Sequence, residues 1–194
     1  MKKDIKRIQE KLGVSADGII GKQTLEALNR ALGISSVPHW PTQSEVRSGK
    51  SIFGAPGRET ELTPVLPPYP LLYEGKPVRA LRVHRLIAPH VLAALREVLA
   101  HYGQAELHRL GLDRYSGSYN YRSTSGGKAL SMHAWGIALD FAAEQNSYCV
   151  RAPRASLSHP DCTAWWQIWE AHGATSLGRE RDYDWMHLQF ADLD

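Results

Sequence analysis

The sequence predicts an α+β domain, a small antiparallel sheet with flanking helices, preceded by a small all-helical module. Three observations lead there. Short apolar segments of strand character at 78–86, 117–122, 136–141 and 185–190 are interspersed, without strict alternation, with helical periodicity at 88–102 and 163–172. Residues 1–34 instead hold two short amphipathic segments around a glycine-bracketed turn. A proline-rich stretch separates the two patterns.

Taken in order, residues 4–12 place Ile5, Ile8 and Leu12 at helical spacing, and Gly13 follows as a C-terminal stop. Asp17-Gly18-Ile19-Ile20-Gly21 predicts a turn that buries two isoleucines. A second helix is expected from Lys22 to Leu32, with Leu25, Leu28 and Leu32 inward and Gly33 closing it. Residues 34–70 carry Pro38, Pro41, Pro56, Pro64, Pro67, Pro68 and Pro70, a density that denies the chain regular hydrogen bonding. We therefore expect a module over 1–34, a linker over 35–50 and a second domain over 51–194 that begins as extended chain.

Within that domain Val78–Leu86 predicts a strand with Leu81 and Val83 on one face. Ala88–Tyr102 predicts a helix with Val91, Leu95, Val98 and Leu99 inward and Pro89 tolerated in its first turn. Gly117–Arg122, Gly136–Phe141 and Trp185–Phe190 are the remaining strands, and Thr163–His172 a tryptophan-rich helix. Trp165, Trp166 and Trp169 on that helix read as core and not as a sugar-stacking platform.

Composition narrows the function classes. A chain of 194 residues has room for one ordinary domain and a small appendage. No apolar run approaches the roughly 20 residues that span a bilayer, so no membrane insertion is expected. The net charge of +3 comes from scattered basic residues, which argues against a nucleic-acid partner. A monomer is expected. The basic start Met1-Lys-Lys-Asp-Ile-Lys-Arg7 is followed by no apolar stretch, so no cleaved secretion signal is expected. Cys149 and Cys162 form no Cys-x-x-Cys pair; a loop disulfide and two free thiols both remain open. Gly21-Lys22-Gln23-Thr24 fails as a phosphate loop, because Ala16 stands where the first glycine belongs and Gln23 where Ser or Thr must be. No Gly-x-Ser-x-Gly elbow occurs, which disfavours a serine hydrolase.

The chemistry lies in the placement of histidines and carboxylates at strand ends. His133 precedes one strand and Asp140 sits near its end; His187 lies on another strand, with Asp184 three positions before it. A catalytic zinc needs three ligands from the His/Asp/Glu/Cys set and one open position for water. His133, Asp140 and His187 would supply two neutral imidazoles and one carboxylate, with Asp184 placed to take the water's proton. His84, His90, His101 and His108 follow no second pattern, whereas His159 and His172 are alternatives for an expected ligand.

Two family resemblances sharpen this reading. Ile8-Gln9-Glu10-Lys11-Leu12, Asp17-Gly18-Ile19-Ile20-Gly21 and Thr24-Leu25-Glu26-Ala27-Leu28 resemble the peptidoglycan-binding modules of wall hydrolases, without their aromatic-Gln ending. Ser131-Met-His133-Ala-Trp-Gly136-Ile-Ala138-Leu-Asp140 resembles the Ser-x-His-x-x-Gly-x-Ala-x-Asp signature of the M15 peptidases, and Asp184-Trp-Met-His187 their Asp/Glu-x-x-His element. Gly117-Ser-Tyr-Asn-Tyr-Arg122 and Gly126-Gly127 are similar to the VanY-like branch. That group includes D-alanyl-D-alanine carboxypeptidases and L-alanyl-D-glutamate endopeptidases used as phage endolysins.

The resemblance implies an M15-like fold in which His133, Asp140 and His187 bind Zn2+. Asp184 would be the general base, and Arg122 would pair a substrate carboxylate or steady the oxyanion. Ser131 would contact substrate or cap its turn. Gly173-Ala-Thr-Ser-Leu-Gly178 replaces a glycine- and tryptophan-rich stretch of many relatives, a change that bears on substrate choice. The function implied is a zinc-dependent, endolysin-like peptidase in which metal-bound water attacks an amide of the peptidoglycan stem. Such an enzyme is made in a host cytoplasm and acts on the wall after release. A D-Ala-D-Ala carboxypeptidase and an inactive wall-binding protein are the rivals.

Overall fold

The computed structural model describes residues 2–18, 22–32, 39–124 and 127–194. The chain divides into two compact units, Met1–Pro38 and His39–Asp194.

The first unit pairs α1 (Lys2–Leu12) with α2 (Lys22–Ala31). A polar knot joins them. The buried Gln9 side chain donates to Asp17 Oδ1 at 2.8 Å and to Thr24 Oγ1 at 2.9 Å, and accepts from the Gly18 amide at 2.8 Å. Gly18 is required there. Its φ is +79°, and a Cβ would come within 2.7 Å of Lys2 Cγ. The expected apolar face is corrected in two places: Ile8 is 44% exposed and Leu32 67%. With about 100° per residue, α1 turns Ile5, Gln9 and Leu12 toward its partner and leaves Ile8 outside. Ile19, Ile20, Gly21, Gly33 and the Leu25 side chain lie outside the described residues.

The second unit starts with α3 (Gln43–Arg47), then β1 (Leu62–Val65), β2 (Leu72–Tyr73), β3 (Lys76–Pro77) and β4 (Leu81–His84). The long helix α4 (Ala88–Leu110) follows, then β5 (Tyr115–Gly117), β6 (Ala138–Phe141), α5 (Ala143–Asn146) and α6 (Thr163–Ala171). Last come β7 (Thr175–Ser176), α7 (Leu177–Arg181) and β8 (His187–Gln189). The sheets are small and antiparallel: β1 with β4, β2 with β3, and a four-stranded sheet in the order β5-β6-β8-β7. Mixed with several helices, this is an architecture compatible with α+β.

The apolar pattern follows the expected helices and strands in most places. Leu81 and Val83 of β4 and Val91, Leu95 and Val98 of α4 are wholly buried, while Leu99 is partly so. The helix runs past Tyr102 to Leu110 across a break at Gly103, whose φ of 69° and ψ of 159° are not helical. Trp165, Trp166 and Trp169 pack in the core, with Phe141 and Trp165 edge to face at 5.3 Å.

Two expectations need correcting. Much of the stretch expected as linker belongs to the second unit: Trp40 and Val46 are buried, and α3 carries a capping box in which Thr42 and Glu45 bond each other's amides. Trp40 is the anchor, 5.6 Å from the Phe53 ring and edge-on to Phe190 at 5.9 Å. One docked indole outweighs the proline composition around it. The strand expected over 117–122 stops at Gly117, because Ser118 turns its hydroxyl to the Arg82 carbonyl at 2.7 Å and its own carbonyl to His133.

Candidate metal centre

Asp140 and His187 are direct cross-strand partners on β6 and β8, so their side chains rise from the same face of the sheet. His133 reaches that face from a short 3-10 turn, Met132–Trp135. Ser131 caps the turn, its Oγ accepting from the His133 amide at 3.4 Å. Gly136 ends it at φ +69°, where a Cβ would come within 2.5 Å of Leu62 Cδ2 and 3.1 Å of the His84 amide nitrogen. The chain can therefore swing from His133 into β6 only with glycine at this position.

Donor atoms of three residues converge. Asp140 Oδ2 lies 3.1 Å from His133 Nε2, Asp140 Oδ1 lies 3.0 Å from His187 Nδ1, and the two ring nitrogens are 3.2 Å apart. All three residues are buried. Four ligands about 2.0–2.1 Å from a tetrahedral zinc sit about 3.3 Å from each other. The donor types and spacings thus fit that ion. Among the described residues no other set of His, Cys, Asp and Glu converges in this way.

The outward ring nitrogens are also engaged. His133 Nδ1 donates to the Ser118 carbonyl, which leaves Nε2 with a lone pair toward the centre. His187 Nε2 meets Gln189 Oε1 at 3.2 Å. Burial alone would raise the Asp140 carboxyl, but the hydrogen bond and charge of His133, followed by those of His187, hold it well below the ordinary carboxylate range. Burial works to lower His187, yet its bond to Asp140 and that carboxylate's charge push it above the usual imidazole value.

Asp184 sits just before β8 at φ +53°, its carbonyl accepting from the His187 amide at 3.0 Å. Its Oδ1 is buried without a hydrogen-bond partner among the described residues. Burial raises this carboxyl and outweighs the nearby His187, which acts in the opposite sense. A desolvated carboxyl of raised basicity beside three convergent donors is suited to proton transfer. Arg122 Nη2 lies 3.9 Å from Asp140 Oδ2 and its side chain is 37% exposed.

An open cleft of about 340 Å³ reaches the centre, lined by Arg47, Arg122, Ser131, Tyr148, Tyr183 and Asp184 among others. A larger cavity of about 550 Å³ beside Tyr73, His108 and Arg114 holds none of the converging residues. His187, Asp184, Arg122 and Ser131 thus line one cleft, and the buried His133 and Asp140 meet His187 beside it. His159 and His172 are elsewhere, bonded to the Pro153 carbonyl and to Glu97. Cys149 and Cys162 are both free, the first exposed and the second buried.

Residues 125–190 match the family model described as D-alanyl-D-alanine carboxypeptidase. This supports an M15 peptidase. The matched stretch contains both segments that carry the converging residues, from His133 to His187, and ends one residue after Gln189. No curated protein and no solved structure shows a significant match. Sequence reasoning missed Gln43, Arg47 and Gln189. Only Gln189 carried a signal, since it lies two positions from His187 and so on the same face of a strand.

Proposed function

We propose that this chain is a zinc-dependent peptidase that hydrolyses an amide bond in the peptide stem of peptidoglycan. The observation that carries the reading is the buried convergence of His133 Nε2, Asp140 and His187 Nδ1 beside the unpartnered carboxylate oxygen of Asp184. Those three residues would hold the metal. A zinc ion bound there supplies Lewis acidity that makes water a competent nucleophile near neutral pH.

Asp184 accepts the proton released by the attacking water and later delivers it to the leaving amine. Its raised basicity serves the first task, and its place on the turn before β8 keeps it at the centre without making it a ligand. Arg122 offers a planar cation at the mouth of the site, where it steadies the oxyanion or holds a substrate carboxylate. Arg47 adds a second guanidinium to the same cleft, and Tyr148 and Tyr183 supply ring walls packed edge to face at 5.6 Å. A short, acidic peptide suits such a cleft. Ser131 faces the cleft and also caps the turn that carries His133, so the two roles expected for it coexist.

The helical pair α1–α2 is assigned as a wall-binding module on its likeness to such modules, and the pairing of module with peptidase favours an endolysin-like role, with peptidoglycan as partner and a monomer as the working form. The description of the matching family favours a second reading, trimming of terminal D-alanine. Mass spectrometry of digested sacculi separates the two: new stem N-termini support endopeptidase action, and free D-alanine alone supports trimming. An active, metal-free preparation would defeat the zinc mechanism.

A further inference from the structure

We propose that Gln189 is a positioning residue that fixes the tautomer of His187, and that Gln43, on the helix before the peptidase core, holds Gln189 in place. The inference rests on the metal-centre reading and concerns how that centre is kept ready for its ion.

The argument starts from one unambiguous hydrogen bond. The Ala191 carbonyl can only accept, so the Gln189 side-chain atom 2.8 Å from it is the amide nitrogen. The carbonyl end of Gln189 must then face the other way, toward His187 Nε2 at 3.2 Å and Gln43 Nε2 at 3.0 Å. Gln189 is 1% exposed and cannot trade these partners for solvent. Facing a fixed acceptor, His187 Nε2 carries its proton.

The consequence appears on the other side of the ring. Nδ1 is the nitrogen 3.0 Å from Asp140 and 3.2 Å from His133 Nε2, so it must offer a lone pair if the three are to share an ion. Asp140 opposes that, since a carboxylate favours a proton on Nδ1. Gln189 supplies the competing acceptor at Nε2 that lets Nδ1 give its proton up. Gln43 supports it from α3, which lies outside the matched stretch of 125–190.

The full chain with Gln189→Leu, Gln189→Glu and Gln43→Ala tests this by two measurements. One is zinc affinity by competition with a chromogenic chelator, and the other is the protonation of each His187 ring nitrogen by 15N NMR of the metal-free protein. Gln189→Leu is expected to weaken zinc binding about 10–100-fold and move the His187 proton toward Nδ1. Gln189→Glu keeps an acceptor for Nε2 but loses the donor to the Ala191 carbonyl, so it should restore the affinity only in part. Gln43→Ala removes one anchor and should give a smaller loss of the same sign. It also decides the matter if Gln189→Leu fails to fold, since Gln43 is less deeply buried. Native affinity and an unmoved tautomer in Gln189→Leu, or in a folded Gln43→Ala when Gln189→Leu does not fold, overturn the positioning role alone. Wild-type protein that takes up no zinc overturns the peptidase reading and this inference with it.

Discussion

Replacing Asp184 by asparagine isolates the proposed base. Asp184 holds a left-handed backbone with φ +53°, which asparagine tolerates and alanine does not. Alanine would add about 1–2 kcal/mol of backbone strain and blur the comparison. Asparagine keeps the shape and removes only the capacity to take a proton. Asp184 is not among the three converging residues proposed to hold the metal, so bound zinc should stay at one ion per chain. General-base catalysis contributes about 10²–10⁴-fold, and at 1.36 kcal/mol per decade the barrier should rise by about 2.7–5.4 kcal/mol. Stability should hold or improve, because a carboxyl raised by burial weakens the fold when ionised at neutral pH. The assay is kcat on a synthetic stem peptide, alongside zinc by atomic absorption and an unfolding curve. A rate within tenfold of the wild type, with zinc retained, refutes the base assignment. Zinc lost along with the rate would make Asp184 part of the metal set instead.

Three further outcomes are expected. His133→Ala should lose both zinc and turnover, measured as metal content after dialysis and as release of stem fragments. In metal-free protein the lowered Asp140 carboxyl contributes stability above about pH 4 that fades as pH falls, and the raised His187 contributes stability below about pH 6.5 that fades as pH rises. His84 and His90, held low by burial, act in the opposite sense, so the test is a difference: the urea midpoint of wild type relative to His187→Gln should fall from pH 5.5 to pH 8.5 without zinc, and an unchanged difference would assign the effect elsewhere. Gly136→Ala combines a positive φ, costing about 1–2 kcal/mol, with overpacking against Leu62 and the β4 backbone, costing about 1–3 kcal/mol. Denaturant titration should show a loss of roughly 2–5 kcal/mol, and a loss below about 1 kcal/mol would mean that the turn relaxes to accept the methyl group.

How legible this was from sequence depended on the kind of signal. Leu81 and Val83, and Val91, Leu95 and Val98, announce their elements through periodicity, because burial on one face forces the pattern. The convergence of His133, Asp140 and His187 was legible because each lies at or beside a strand end, where register brings side chains of distant segments together. Trp40 and Val46 were hidden by the prolines around them, since composition reports the average of a segment and not the one side chain that docks. Ile8 was misplaced for a related reason: the buried partner on α1 is the polar Gln9, and hydrophobicity cannot point to a glutamine.

The two glutamines missed at the site share one physical trait. Gln43 and Gln189 meet through one side-chain hydrogen bond across 146 positions of sequence, and neither lies in an apolar repeat. Strand register supplies the link that sequence lacks. Asp140 opposite His187 puts Ala138 opposite Gln189, so a methyl group stands across from the side chain that meets His187 Nε2. A bulky residue at 138 would crowd that amide, whatever the ligands themselves were. The small alanine between Gly136 and Asp140 therefore belongs to the site as much as to the sheet, because the register that aligns the ligands also leaves room for what orients them.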